Sequence, residues 1–180
     1  GNETATPETV AVEFGQLLHP AGGVDGTFTQ GAAFTKITNG IFSSSGFSWN
    51  EVGSFSLLAR VADNDYLGTG LGAAFSSTPY AVGRFYPKNY ALANTSFENS
   101  CTAFSYMGQP AIKLAYELQA RNVAGDITRN YGPGYGVLAV PSVVLENADN
   151  GTDLSGRINV PASSWGAGEY KLMHTDLSFS

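Results

Sequence analysis

Apolar residues recur along this chain at every second position, in short runs. Over residues 54–62, Phe55, Leu57, Ala59 and Val61 alternate with Ser54, Ser56, Leu58 and Arg60. That period of two predicts a strand with one buried face. Over residues 112–121, Ile112, Leu114, Tyr116, Leu118 and Ala120 face one way, and Lys113, Glu117, Gln119 and Arg121 the other. The same stretch is rich in good helix formers, so propensity favours a helix. Periodicity decides for a strand, because a helical stripe would catch Ile112, Ala115 and Tyr116 and leave Leu114 and Leu118 outside it. Residues 170–179 are less regular. Tyr170 and Leu172 share one parity while Met173, Leu177 and Phe179 share the other, which predicts a bulge near Leu172.

Turn signals separate these runs: Ala21-Gly22-Gly23, Asp25-Gly26, Asn39-Gly40, Gly132-Pro133-Gly134 and Asn150-Gly151. Their spacing, roughly 8–12 residues, is that of an all-β sandwich. No amphipathic helix of three turns is apparent. A faint internal repeat divides the chain. Trp49-Asn50-Glu51-Val52-Gly53-Ser54-Phe55 and Trp165-Gly166-Ala167-Gly168-Glu169-Tyr170 each run from Trp through a short turn and a Gly to an aromatic that opens an alternating strand. An earlier echo links Ala21-Gly22-Gly23-Val24-Asp25-Gly26-Thr27 to Asn122-Val123-Ala124-Gly125-Asp126-Ile127-Thr128. Two tandem immunoglobulin-like β-sandwiches are therefore expected, over residues 1–81 and 82–180. A single larger sandwich is the alternative.

Composition narrows the function classes. Hydrophobic residues make up 43% of the 180 and aromatics 12%, too many for a disordered chain. Nine Lys and Arg against 15 Asp and Glu give a net charge of −6, which argues against nucleic acid as a partner. No apolar run approaches the ~20 residues that span a bilayer as a helix. The chain starts at Gly1 without Met, which suggests a mature or excised fragment. One cysteine, Cys101, permits no internal disulfide. It reads as a small apolar residue or as half of a bond to another part of a parent protein.

Candidate chemistry is sparse. His19 and His174 lie in opposite halves, and neither has a nucleophile motif around it, so no catalytic residues are expected. Gly68-Thr69-Gly70-Leu71-Gly72 lacks the Lys and the helix of a phosphate loop. Asp63 with Asp65, and Asp149 with Asp153, offer hard oxygen ligands with one and three residues between them, a pattern that suits Ca²⁺. Neither loop matches an EF-hand, and Asx residues are also the common turn formers. Tyr131 and Tyr135, in the loop Tyr131-Gly132-Pro133-Gly134-Tyr135-Gly136, are the best candidates for exposed rings that stack on a glycan.

Several segments are more specific. Val82-Gly83-Arg84-Phe85-Tyr86-Pro87, then Phe104-Ser105-Tyr106-Met107-Gly108-Gln109-Pro110, and Leu118-Gln119-Ala120-Arg121-Asn122-Val123-Ala124-Gly125 together resemble the MshQ family. Residues 147–157, 165–170, 20–27 and 49–55 extend the similarity over most of residues 10–180. MshQ proteins belong to loci for the mannose-sensitive haemagglutinin (MSHA), a bacterial type IV pilus. The resemblance implies pilus biogenesis or cell adhesion at the cell envelope or outside it. Expected partners are other domains of the parent protein and pilus or envelope components, with the chain as spacer and protein-interaction surface. The alternative, read from the residues, is an adhesin domain that binds glycans through its tyrosine-bearing loops, with or without calcium. The family carries over no catalytic residues.

Overall fold

The longest regular alternations become the central strands. In the computed structural model, residues 8–38, 40–70, 76–106, 109, 112–134 and 138–179 are described, the last seven of them by backbone alone. The protein is all-β. Its described helical structure is confined to two single 3₁₀ turns, Tyr66–Gly68 and Ser155–Arg157. The chain forms two compact units, Gly1–Tyr86 and Pro87–Ser180.

In the first unit, β1 (Val10–His19) pairs with β6 (Gly53–Val61), which pairs with β7 (Tyr80–Phe85), all antiparallel. Two smaller ladders join β2 (Phe28–Thr29) to β5 (Ser48–Trp49), and β3 (Thr35–Thr38) to β4 (Ile41–Ser43). The register places Phe14 opposite Leu57 and Val82 opposite Phe55, so these residues share a face with Phe55. That face meets the β2–β5 ladder in a sandwich-like layer of rings. Phe55 lies 5.3 Å from Phe14, 5.8 Å from Phe28, 4.8 Å from Trp49 and 5.7 Å from Phe85, between ring centroids. Phe55 is 1% exposed. Pairing with β6 puts Val82-Gly83-Arg84-Phe85 in the first unit, whereas the sequence reading began the second sandwich at residue 82.

The second unit is built on the sheet order β10 (Ile158–Asn159), β12 (Glu169–Phe179), β9 (Ile112–Arg121), β8 (Asn89–Glu98), with β11 (Trp165–Gly166) hairpinned onto β12. The expected bulge in the last strand is present as a register shift between Leu172 and Thr175. One end of the apolar face is closed by an aromatic plug. Tyr131, Trp165, Tyr90 and Tyr170 pack with centroid separations of 4.9 to 5.7 Å.

The repeat seen in the sequence is a repeat in space. Trp49 and Trp165 are both buried, each beside the aromatic that follows its glycine, at 4.8 Å from Phe55 and 5.7 Å from Tyr170. Each indole N–H donates to a loop carbonyl, Trp49 to Asp25 O (2.6 Å) and Trp165 to Ala139 O (2.9 Å). Gly53 and Gly168 hold φ of 136° and 82°, a region that favours glycine. A Cβ at either position would collide with a carbonyl oxygen of a crossing segment, His19 O or Thr128 O.

Candidate interaction surfaces

The alternation in β9 sorts its side chains onto two faces, and register extends each face across the sheet. Leu92 stands opposite Leu118, which stands opposite Tyr170; Phe97 stands opposite Leu114. Opposed residues of an antiparallel pair project from the same side, so these form one apolar face. The plug covers it at the Tyr131 end. Toward the other end Leu92 is 63% and Phe97 59% exposed. β8 is also an outer strand, with no ladder on its far side among the described strands. Phe104 and Tyr106, in the loop that follows it, are exposed and meet each other edge to face at 5.1 Å.

The opposite face departs from expectation. Alternation alone places Glu117 and Gln119 toward water, yet both are buried. Side chains of neighbouring strands explain it. The Glu117 carboxylate accepts from Asn94 Nδ2 at 3.1 Å and from the Gln119 amide, and Lys171 Nζ stands 3.7 Å away. Arg121 in turn donates to Gln119 Oε1. The Gln119 hydrogen bond holds the Glu117 carboxyl below its ordinary range, helped by Asn94 and Lys171 and opposed by burial. Glu169 lies 2.8 Å from Lys171 and raises the pKa of that ammonium above its ordinary value. Satisfied acceptors and two close ion pairs make this face a strut of the sheet.

Tyr131 has a different role from the exposed, stacking ring that was expected. It is 0% exposed. Its hydroxyl accepts from the backbone N–H groups of Leu138 (2.8 Å) and Ala139 (2.9 Å) and meets the Tyr90 hydroxyl at 2.8 Å. Two accepted bonds and one donated bond exhaust a hydroxyl, and the ring packs against Tyr90 and Trp165. Tyr131 therefore offers no surface to a sugar. Tyr135 lies outside the described residues.

The acidic loops are knotted into turns. Asp63 Oδ1 accepts from the Asp65 N–H at 3.0 Å, and Asp65 Oδ1 from the Gly70 N–H at 2.6 Å. In the second loop, Asn147 accepts from the Asp149 N–H (2.8 Å), Asn150 from the Thr152 N–H (3.0 Å) and Asp153 from the Ser155 N–H (2.8 Å). These are successive Asx turns. The Ser155 hydroxyl and then its N–H lower the Asp153 pKa. Among the described residues no group of three His, Cys, Asp or Glu side chains converges as a metal site. Cys101 is half-buried and accepts from Gln109 Nε2 at 3.4 Å. No described helix is long and apolar enough to cross a membrane.

One family model matches the chain, that of DUF6701, third domain, over residues 51–180. The match begins two residues before β6 and takes in β7 and the second unit. No curated protein matches the chain, and no solved structure matches it.

Proposed function

We propose that the chain, which belongs to the DUF6701 third-domain family, is a non-enzymatic β module of an MshQ-like protein. It serves as a spacer and a protein-interaction surface in pilus biogenesis or adhesion, outside the bacterial cell or in its envelope. Its partners are other domains of the parent protein and pilus or envelope components. The observation that supports this reading is the outer strand β8, where Leu92 and Phe97 project 63% and 59% exposed from an apolar face beside an edge with no ladder among the described strands. Exposed apolar residues beside a free strand edge are a liability in a lone domain, and they gain a purpose where a neighbour covers them.

The test replaces Leu92 and Phe97 together by Asp in the parent protein in its own host. Both residues are exposed, so the purified double variant should melt within about 3 °C of the wild type. Piliation and haemagglutination should be lost. A variant that folds, is produced at the wild-type level and supports normal pili and adhesion overturns the proposal. Saturable binding of the wild-type chain to a glycan array, abolished by alanine at either of the exposed rings Tyr80 and Tyr106, would favour a lectin instead.

A further inference from the structure

The first unit contains a groove of about 740 Å³ between the start of β1 and the β3–β4 hairpin. Its lining includes Val10 of β1, the rings of Phe34, Phe42 and Phe47, and the polar side chains of Gln30 and Lys36. The volume lies within the roughly 300–1,000 Å³ usual for binding clefts.

At Val10 in the groove, and at Val12 farther along the strand, the backbone points outward. The Ala62 N–H donates to Thr9 O, and the register pairs Val10 with Val61 and Val12 with Ala59. Thr9 and Ala62 are therefore a hydrogen-bonded pair, and the alternation of an antiparallel ladder turns the amides and carbonyls of Val10 and Val12 away from β6. Among the described strands, β1 is the outermost of its sheet. Val12 O accepts instead from the side chain of Gln30, at 2.6 Å. An exposed amide thus stands where the N–H of a further strand would stand. Among the described residues, the outward groups of Val10 have no hydrogen-bond partner.

Charge narrows the occupant. Lys36 is exposed and carries no ion pair among the described residues. The groove's carboxylate, Glu8, accepts from the Leu67 N–H at 2.6 Å through one oxygen, which fixes its position and leaves its charge in place. Lys36, without an ion pair among the described residues, suits an acidic side chain, and the three phenylalanines suit the apolar residues that alternate with it.

We propose that this groove receives an extended peptide strand from another polypeptide, added to the outer edge of β1, with apolar side chains on Phe34, Phe42 and Phe47 and a carboxylate at Lys36. Backbone hydrogen bonds to Val10 and Val12 hold the strand and displace the Gln30 amide, while the aromatic wall and Lys36 select its sequence. The inference rests on the reading of the chain as a protein-interaction module and adds a second, distinct surface to it.

The probe is a capped octapeptide of alternating valine and threonine with one central aspartate, titrated against the 180-residue chain and followed by amide chemical shifts. Saturable shifts at Val10 and Val12 are expected. Lys36→Glu should weaken binding by about tenfold, and a peptide with lysine in place of aspartate should restore it to that variant. Gln30→Ala should bind at least as well as the wild type. N-methylation of the peptide backbone on the bonding edge should abolish binding. Absence of saturable shifts, or binding indifferent to both the charge swap and N-methylation, overturns the proposal. So does sedimentation showing a dimer whose β1 edge is filled by a second copy. Either failure, with the Leu92 and Phe97 double variant still defective in the host, removes this groove and leaves the module's role standing.

Discussion

Removing one oxygen tests the aromatic plug of the second unit. Tyr131→Phe keeps the buried ring and its packing on Tyr90 and Trp165, so no cavity opens. It deletes a hydroxyl that satisfies the N–H groups of Leu138 and Ala139 and engages Tyr90. A hydrogen bond contributes about 1 kcal/mol net, and a stranded buried partner raises the cost. Half-exposed Ala139 and the exposed Leu138 can recruit water, which limits that surcharge. The loss should be about 2–3 kcal/mol, or about 10–20 °C in Tm for a domain of this size. Tyr90→Phe removes one of these bonds at a ring that is 40% exposed, and should cost about 1 kcal/mol or less. Calorimetry supplies the two losses, and amide exchange at Leu138 and Ala139 should accelerate only in the Tyr131 variant. A Tm within about 2 °C of wild type for Tyr131→Phe, or equal losses for the two variants, would refute the assignment of Tyr131 as the structural anchor of the loop.

Other consequences follow from the same geometry. Gly168→Ala should destabilise the second unit by about 3 kcal/mol or more in chemical denaturation, because its Cβ would meet Thr128 O and stand 2.7 Å from Ile127 Cγ2 at a φ of 82°; a loss below about 1 kcal/mol would mean that the crossing segment yields. Burial above all raises the Tyr90 and Tyr116 hydroxyls above their ordinary value of 10.0. Between the unfolded and folded values the unfolded chain alone is ionised, so stability should decline once pH rises past about 10, and absorbance titration should show these phenols ionising late. Glu117 runs the other way: its lowered pKa stabilises the fold above the ordinary value of 4.5 and stops doing so as pH falls through the folded value. Glu117→Gln should therefore flatten the acid limb of the stability profile; an unchanged limb would show that the carboxylate is not ionised in the fold. Calcium up to millimolar concentration should move no amide resonance at Asp63, Asp65, Asp149 or Asp153, since the carboxylates of Asp63, Asp65 and Asp153 and the amide oxygens of Asn147 and Asn150 beside Asp149 already accept from backbone N–H groups; saturable shifts there would restore a cation site.

Bulges explain which strands are visible in the sequence. β6 and β9 keep one parity throughout, and pattern alone finds them to within a residue. β1 and β8 are ten residues each and escape the same template. In β8 the ladder slips between Ala93 and Ser96, around Asn94 with its φ of 48°, so Leu92 and Phe97 share a face while differing in parity. In β1 the slips fall between Phe14 and Leu17 and again before His19. A one-residue slip reverses the facing of all that follows, and no count of alternations can see through it. The exposed apolar strip on β8 is hidden by the same slip.

The misread residues have a common physical origin. A Gly- and Pro-rich loop such as the one opening at Tyr131 is free to fold back, and a buried aromatic lowers the free energy more than an exposed one. Composition identifies the loop but cannot say which of its rings turns inward. Glu117 and Gln119 lie on the polar side of β9, and their burial depends on Asn94, Lys171 and Arg121, which arrive from three strands. The Trp-to-Gly-to-aromatic repeat was legible because each of its parts answers to a local demand: a ring to plug the sheet end, a glycine where a carbonyl leaves no room for Cβ, an aromatic to begin the strand. Local demands leave local marks in a sequence. The plug hydroxyl, the buried carboxylate and the groove beside β1 arise only when distant segments meet, and they are where structure adds most to the reading of this chain.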